Sequence, residues 1–407
     1  MTYVFDILSL MPSICKPQIK AMMCLFSAMM CFSGRSTMRN LSRYGAGSEK
    51  RVRRWASKSF KFLNFNKLLL ANMNVITDRN DCLLDVRSSL HQVIVVDATF
   101  LSKAGKKTEG IDYFYNGTSR TNNKIEHGLE MTLIGVINIQ ERSAYSLNIH
   151  QSNGKSALAV AQEELIGQAT QLQKLSCHIV VDGAYSKASF INTLCGQDYE
   201  IIGALRKDSK LRYLYEGKYL GRGRPRLYDG NVQYNDLSQF VRHEELRKNM
   251  VVYSKIVNYS AWKRNLLVVI VINKQGAYKV IYSTDLSLTA EEVLNIYELR
   301  FQIEFLFRDA KQHTGLGHAQ VLDSKGQEYF ANASMSTLNI LRLEQRLDTL
   351  NRGVNPAQQR FSIGSVKLRK YNEFMIKKFL SCLGVTEDVE NYFSVLEEVA
   401  QIGTIAA

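Results

Sequence analysis

Two short apolar runs, each followed by an aspartate, constrain the fold of this chain most strongly. Residues 93–96 (Val-Ile-Val-Val) precede Asp97, and residues 178–181 (His-Ile-Val-Val) precede Asp182. Runs rich in β-branched residues are typical of strands that are buried on both faces. Because an open α/β sheet binds its ligands beyond the carboxyl ends of such strands, both aspartates are candidate site residues. For either one alone, a turn or cap aspartate is the alternative.

The surrounding pattern predicts an α/β sheet with an antiparallel start. Strand-like stretches at 131–139 and 144–150 follow the first run, and then come a helix at 156–175, the second run, a short helix at 187–195 and a strand at 200–205. Residues 206–283 contain three further strand-like runs separated by turn residues, which indicates a β-rich insertion.

A third acid comes from a predicted long helix. Thr289 and Glu292 form a capping-box pattern, and the helix is predicted to continue to about residue 313, before Gly315 and Gly317. At 100° per residue, four side chains project from one stripe of this helix, and they are Tyr297, Arg300, Glu304 and Lys311. The pattern predicts that Glu304 approaches Asp97 and Asp182.

Three carboxylates at one point repel one another, and a hard divalent cation relieves the repulsion. Mg²⁺ is predicted, with Mn²⁺ as a substitute, because it takes oxygen ligands and retains waters. Two ions about 4 Å apart could activate a water or a 3′-hydroxyl and stabilise a leaving oxygen. Arg300 and Lys311 would then bind phosphate oxygens, with a further hydrogen bond from Tyr297.

The spacing Tyr297-x2-Arg300-x3-Glu304-x6-Lys311 resembles the Y-R-E-K signature of the IS4 family of bacterial insertion-sequence transposases. Residues 95–99 and 181–185 resemble the strands that carry the two aspartates of that family. The resemblance implies a DDE-type enzyme of the α/β class, in which an RNase H-like catalytic core is interrupted by a β-rich insertion and flanked by helical N- and C-terminal regions. The catalytic and metal-binding residues would be Asp97, Asp182 and Glu304.

The predicted regions follow the motifs. They are a helical basic DNA-binding region (1–88), the first part of the core (89–206), the β-rich insertion (207–284), the second part of the core with the catalytic helix (285–325), and a helical region for dimerisation or DNA contact (326–407).

The resemblance also implies an activity: cutting DNA at insertion-sequence ends and joining the 3′-hydroxyl ends to target DNA. Its partners would be double-stranded terminal inverted repeats and target DNA, bound by a homodimer. Two alternatives stay open. One is a metal-dependent nuclease without strand transfer, and the other is a DNA-binding protein with a vestigial site.

The charge balance favours a polyanionic partner. The chain has 52 Lys and Arg against 38 Asp and Glu, a formal net charge of +14. Residues 35–67 alone contain ten basic residues and one acid, interleaved with aromatics. Lys50, Arg51, Arg53 and Arg54 are therefore candidate DNA contacts, with a solvated basic face as the alternative.

The insertion has two further candidate DNA-binding features. Arg222, Arg224 and Arg226 lie in a Gly-Arg-Gly-Arg-Pro-Arg segment that resembles an AT-hook, although a flexible solvated loop explains it equally well. Trp262 is the candidate for stacking on a flipped base, as the family resemblance implies. A core tryptophan is its alternative.

Cysteine usage and hydrophobicity indicate a cytoplasmic, nucleoid-associated protein. The seven cysteines are scattered, without a C-x-x-C pair, which argues against a disulfide framework or a zinc knuckle. The apolar run at 21–32 is shorter than the roughly 20 residues of a membrane span, so a buried helix is predicted there and no membrane partner.

Overall fold

The computed structural model describes residues 1–77, 90–117, 119, 124–219, 221, 224–244, 246–355, 362–385 and 391–404. Its N-terminal part is helical, with α1 (Thr2–Leu10), α2 (Lys16–Cys31), α3 (Met38–Arg43), α4 (Glu49–Ala56) and α5 (Phe62–Asn72). The predicted buried helix is α2, which buries Met22, Leu25 and Phe26. Among the described residues, no helix is both long and apolar enough to cross a membrane.

A mixed sheet that contains β1 forms the middle of the molecule. Its first elements are β1 (Gln92–Ser102), β2 (Asp112–Tyr115), β3 (Ile125–Asn138), β4 (Ser143–Gln151), α6 (Ala157–Gly167), α7 (Ala169–Leu172), β5 (His178–Val181), α8 (Ala188–Cys195) and β6 (Glu200–Leu205). β1 is antiparallel to β3 and parallel to β5, and β5 is parallel to β6. The predicted antiparallel start is therefore present. Strand β2 was not predicted, and the single helix expected at 156–175 is divided into α6 and α7.

The insertion extends this sheet. Its strands are β7 (Leu211–Leu214), β8 (Tyr228–Asn231), β9 (Val241–His243), β10 (Met250–Tyr259), β11 (Arg264–Asn273) and β12 (Tyr278–Ser283). β12 pairs antiparallel with β6, so core and insertion share one sheet. This pairing satisfies the outer edge of β6, and it buries Val280, Ile281 and Tyr282.

The prediction of one continuous helix from Thr289 to about residue 313 is wrong. The segment consists of α9 (Ala290–Leu299), α10 (Gln302–Asp309) and a π-helical turn (Ala310–Thr314). Between α9 and α10 the backbone bonds tighten to i→i−3, as in Arg300 N–H to the Tyr297 carbonyl and Glu304 N–H to the Phe301 carbonyl. Short segments of this kind inside a helix often mark functional positions.

The last helices are α11 (Ser324–Asn351), α12 (Ile363–Cys382) and α13 (Tyr392–Ala400). α11 is buried over most of its length and packs against β4, α5 and α2. One hydrophobic cluster extends from Val4 to Val366 and includes N-terminal helices, sheet and α11. The regions predicted from sequence thus share a core, and their division into domains stays a prediction.

Candidate active site

Asp97 and Asp182 are carried by neighbouring parallel strands, Asp97 within β1 and Asp182 directly after β5. The register pairs Val96 of β1 with Val181 of β5, so the residue after each valine lies at the same height. Parallel neighbours are about 4.8 Å apart, which brings the two carboxylates together. The prediction that Asp97 ends its strand is wrong, because β1 continues to Ser102 by pairing with β3. Asp182 does follow the last residue of β5.

Arg300, at the junction of α9 and α10, contacts both aspartates and Glu304. Its Nη1 lies 3.4 Å from Asp97 Oδ2, its Nη2 lies 3.1 Å from Glu304 Oε1, and its Nε lies 4.0 Å from Asp182 Oδ1. The Arg300 side chain is only 12% exposed. The helix therefore brings Glu304 to the same guanidinium as the two aspartates, although the three acids are distant in sequence.

Burial and the charges of this cluster change the pKa of Asp97 and of Arg300. The pKa of Asp97 is raised to about 6, mainly by burial; the charges of Asp182 and Glu304 also raise it, and the Ala98 N–H and Arg300 lower it. Burial by itself lowers the pKa of Arg300, but the charges of the neighbouring acidic groups, with Asp182 and Asp97 foremost, together outweigh burial and leave that pKa above its usual value. Three carboxylates thus face one cation in a half-buried site, an arrangement that favours a further positive charge.

The donor chemistry fits a hard divalent ion, because carboxylate oxygens are the ligands that Mg²⁺ prefers. Arg300 lies between the acids, however, and among the described residues no group of three or more His, Cys, Asp or Glu side chains is arranged to hold a metal ion. The residue types therefore match a magnesium site, whereas their present spacing corresponds to three carboxylates that share one arginine.

Tyr297 and Lys311 lie beside this cluster and do not hydrogen-bond to its carboxylates in the described structure. Tyr297 is 5% exposed, with Lys279 Nζ 4.5 Å from its ring centre. Lys311 Nζ donates a 2.9 Å hydrogen bond to the Phe100 carbonyl of β1, and burial lowers its pKa. The predicted stripe assumed one continuous α-helix, whereas the turn before α10 is tightened and the turn after it is π-helical, and both change the rotation per residue.

Tyr185 is a site neighbour that the sequence reasoning missed. Its hydroxyl is buried and has no hydrogen-bond partner among the described residues. Burial is the main cause that raises the pKa of Tyr185, followed by the charges of Asp97, Glu130 and Asp182. A 3₁₀ turn (Gly183–Tyr185) directs the tyrosine back towards the acids. Its position three residues after Asp182 was visible, but no spacing rule indicated that direction.

The candidate DNA contacts outside this site lie on separate surfaces. Helix α4 carries Lys50, Arg51, Arg53 and Arg54, of which Lys50, Arg53 and Arg54 are exposed. Arg53 forms a 3.0 Å ion pair with Glu49.

In the insertion, Arg224 and Arg226 are exposed, whereas Arg222 lies outside the described residues. Arg226 pairs with Asp229 and lies over the Tyr215 ring. These contacts hold the end of the segment against β7 and β8.

Trp262 packs in the interior of the insertion. It is 4% exposed, and its ring meets those of Tyr259 and Tyr282 edge to face, at centroid distances of 4.8 and 5.0 Å. In this arrangement the indole does not offer an open face to a base. Its placement is the one expected of the core alternative.

Comparison with known families places the chain in a class. The transposase DDE domain family matches residues 88–340, more than half of the chain and a range that contains Asp97, Asp182 and Glu304. The chain therefore belongs to this family, whose members are metal-dependent enzymes that cut and transfer DNA. None of the curated proteins compared with it is similar enough to count as a relative.

Proposed function

We propose that this protein is an IS4-type DDE transposase that cuts DNA at the ends of an insertion sequence and joins the freed 3′-hydroxyls to target DNA. The observation that carries the proposal is the convergence of Asp97, Asp182 and Glu304 on Arg300 in a chain of the DDE family. The strand order β4-β3-β1-β5-β6, with β1 central, supports an RNase H-like core.

The three acids are the proposed metal ligands. Two bound Mg²⁺ ions would supply activation of a water or 3′-hydroxyl and stabilisation of the leaving oxygen. Arg300 offsets part of the negative charge of the acids in the absence of other cations, and it would bind a nonbridging phosphate oxygen once metal ions replace it beside the carboxylates. Lys311 fixes the end of α10 to β1, and contact of Lys311 or Tyr297 with phosphate stays a prediction from the motif.

The proposed partners are double-stranded terminal inverted repeats and target DNA, bound by a homodimer. The exposed basic side of α4 supports a phosphate-binding surface, since few acids neutralise it. Arg224 and Arg226 form a second, smaller basic surface at the edge of the sheet. Trp262 is left out of this proposal because of its burial.

Labelled duplexes from both flanks of the coding region, incubated with protein and Mg²⁺ or Mn²⁺, test the proposal. Nicked ends and products joined to a target plasmid support a transposase. Cleavage without joining favours the nuclease, and binding without cleavage favours the vestigial protein.

Glu304→Gln provides the site-specific arm of the same assay. It is expected to abolish cleavage while DNA binding persists, because it removes one of the three charges at the site. Glu298→Gln is the matched control, since Glu298 lies on α9 and pairs with Arg247 outside the site. Normal cleavage by Glu304→Gln would exclude Glu304 as a metal ligand.

A further inference from the structure

Three arginines line one pocket at the start of the basic N-terminal segment. Arg35, Arg39 and Arg43 border a cavity of about 250 Å³, together with Thr37 and Asn40. All three arginines are exposed, and among the described residues no carboxylate lies within ion-pair distance of them. Arg53 differs in this respect, because Glu49 already pairs with it. The pocket therefore concentrates three positive charges without internal compensation.

The pocket is built by local hydrogen bonds. The Asn40 side-chain amide donates to the carbonyls of Ser33 (2.8 Å) and Arg35 (3.0 Å), and Thr37 Oγ1 accepts from the Asn40 backbone N–H at 3.2 Å. These bonds fold the loop against α3. Arg39 and Arg43, four residues apart, lie on the same side of that helix. The backbone that carries the three guanidinium groups is thus held before any ligand binds.

The same loop is attached to the chain that leaves the catalytic helix. Ser36 N–H donates to His318 Nδ1 at 3.1 Å, and Lys103, directly after β1, donates through Nζ to the carbonyls of Gly317 (2.9 Å) and Ala319 (2.7 Å). Burial lowers the pKa of His318, and the charges of Arg35 and Lys103 lower it further. The pocket thus belongs to a positive rim at the end of β1.

We propose that Arg35, Arg39 and Arg43 bind a backbone phosphate of the DNA end, away from the cut. β1 leads from Asp97 to Ser102, and the contacts of Lys103 and His318 connect the end of this strand to the loop that carries Arg35. The pocket therefore contacts a different phosphate from the one that is cut at the carboxylates. Phosphate is the fitting ligand because planar guanidinium groups pair with its oxygens in a bidentate manner. This inference rests on the proposed function, since it requires a DNA end at the carboxylates.

A methylphosphonate scan tests the proposal. Single uncharged linkages are placed along each strand of the flanking-DNA duplex, and affinity is measured by fluorescence anisotropy. For the unaltered protein, one or two adjacent linkages away from the cleavage position are expected to reduce affinity about tenfold. The triple variant Arg35→Ala, Arg39→Ala, Arg43→Ala should bind more weakly and lose sensitivity at those linkages only. The same interference pattern in both proteins would overturn the proposal.

Two controls distinguish loss of this pocket from a general loss of positive charge and from misfolding of the variant. Arg206→Ala, Arg242→Ala, Arg352→Ala removes the same charge from three exposed arginines elsewhere, and it should leave the interference pattern intact. Arg39→Lys alone keeps the charge and should weaken the interference only partly. If the control triple variant also loses sensitivity at the same methylphosphonate linkages, the proposal is wrong.

A second measurement distinguishes DNA phosphate from free phosphate. Calorimetric titration of the DNA-free protein with inorganic phosphate should show, at most, weak binding that the triple variant loses. If phosphate binds tightly in that pocket while the DNA scan is unchanged by the triple variant, the pocket serves free phosphate and the proposal is wrong. Cleavage by the protein with no interference that the triple variant loses overturns this inference alone. Interference that the triple variant loses, without any cleavage, overturns only the proposed function.

Discussion

Two polar clusters lie within the protein, and they differ in how their buried polar groups are paired. In the first, between α11 and β4, Asn339 donates to Asn66 Oδ1 (3.0 Å) and to the Ser146 carbonyl (2.8 Å), and it accepts from the Ser146 N–H (3.0 Å). In the second, Asp97, Asp182 and Glu304 share the single cation Arg300.

The difference between them separates structure from function. The asparagine cluster is neutral, and the donors and acceptors of its amide are paired, so it favours one packing of α11 on the sheet. The carboxylate cluster has three negative charges and one positive charge, and part of it is desolvated. Such an imbalance costs free energy, and a bound cation would relieve it.

Asn339→Ala should be the largest test of this contrast. It removes the hydrogen-bond partner that Asn339 supplies to the Ser146 N–H and to Asn66 Oδ1 at a fully buried position, so the free energy of unfolding should fall by about 3 kcal/mol. Urea denaturation measures this decrease, and DNA cleavage per folded molecule should be unchanged. Asn351→Ala, at the exposed end of α11, is the control and should change stability by less than about 0.5 kcal/mol. Equal decreases in the free energy of unfolding for Asn339→Ala and Asn351→Ala would contradict a stabilising role for the asparagine cluster.

Asp97→Asn should do the opposite and stabilise the protein in EDTA. The folded-state pKa of about 6 exceeds the unfolded value of 3.8. The ionised carboxylate therefore destabilises the folded state above about pH 6, and this destabilisation is absent below about pH 4, where the group is protonated in both states. At pH 8 the variant should be more stable by up to about 3 kcal/mol, and at pH 4 the two proteins should coincide. Asp198→Asn, in an exposed turn, should show no such pH dependence of the difference. An equal gain at both pH values would contradict this assignment.

Arg300→Ala should increase the charge imbalance of the carboxylate cluster, because it removes the only cation that contacts the three acids in the described structure. Cleavage should fall by about 1–3 kcal/mol in transition-state stabilisation, as expected when a charge-assisted hydrogen bond is removed. Mg²⁺ should raise the melting temperature more in this variant than in the unaltered protein, because no guanidinium competes for the carboxylates. Arg308→Ala, on α10 but paired with Asp309, is the control. An identical Mg²⁺ response in all three proteins would exclude the acids as the binding site.

Substitution of Lys50, Arg51, Arg53 and Arg54 together by Ala should give the smallest effect per residue. The slope of log affinity against log salt should decrease by up to about 0.9 for each phosphate that is no longer neutralised, or about 3.6 in total, and by less if the Glu49 pair holds Arg53. Four exposed cations elsewhere, Lys155, Arg206, Arg242 and Arg352, provide a charge-matched control. An unchanged slope would place the main DNA-binding surface elsewhere on the protein.

Local sequence patterns determined much of this molecule. The β-branched runs identified β1 and β5, the capping box located the start of α9, and Thr289 and Glu292 do form both of its hydrogen bonds. The sequence also predicted Asp97, Asp182 and Glu304 as site residues, because a carboxylate beside an apolar strand or helix face must be hydrated, hydrogen-bonded or bound to a cation. These features depend on residues close in the chain, and hydrophobic periodicity and capping are local effects.

Other features depended on contacts between distant segments, and only the tertiary structure decided them. Pairing with β3 extends β1 past Asp97, and tightened and π-helical turns interrupt the α-helix that carries Tyr297, Glu304 and Lys311. The joining of the insertion to β6, the burial of Trp262 and the packing of Ser36 against His318 likewise follow from partners far away in sequence. Sequence by itself determined which residues carry charge and which segments form strands and helices. Tertiary packing decided which charges meet, because desolvation and register depend on the whole fold.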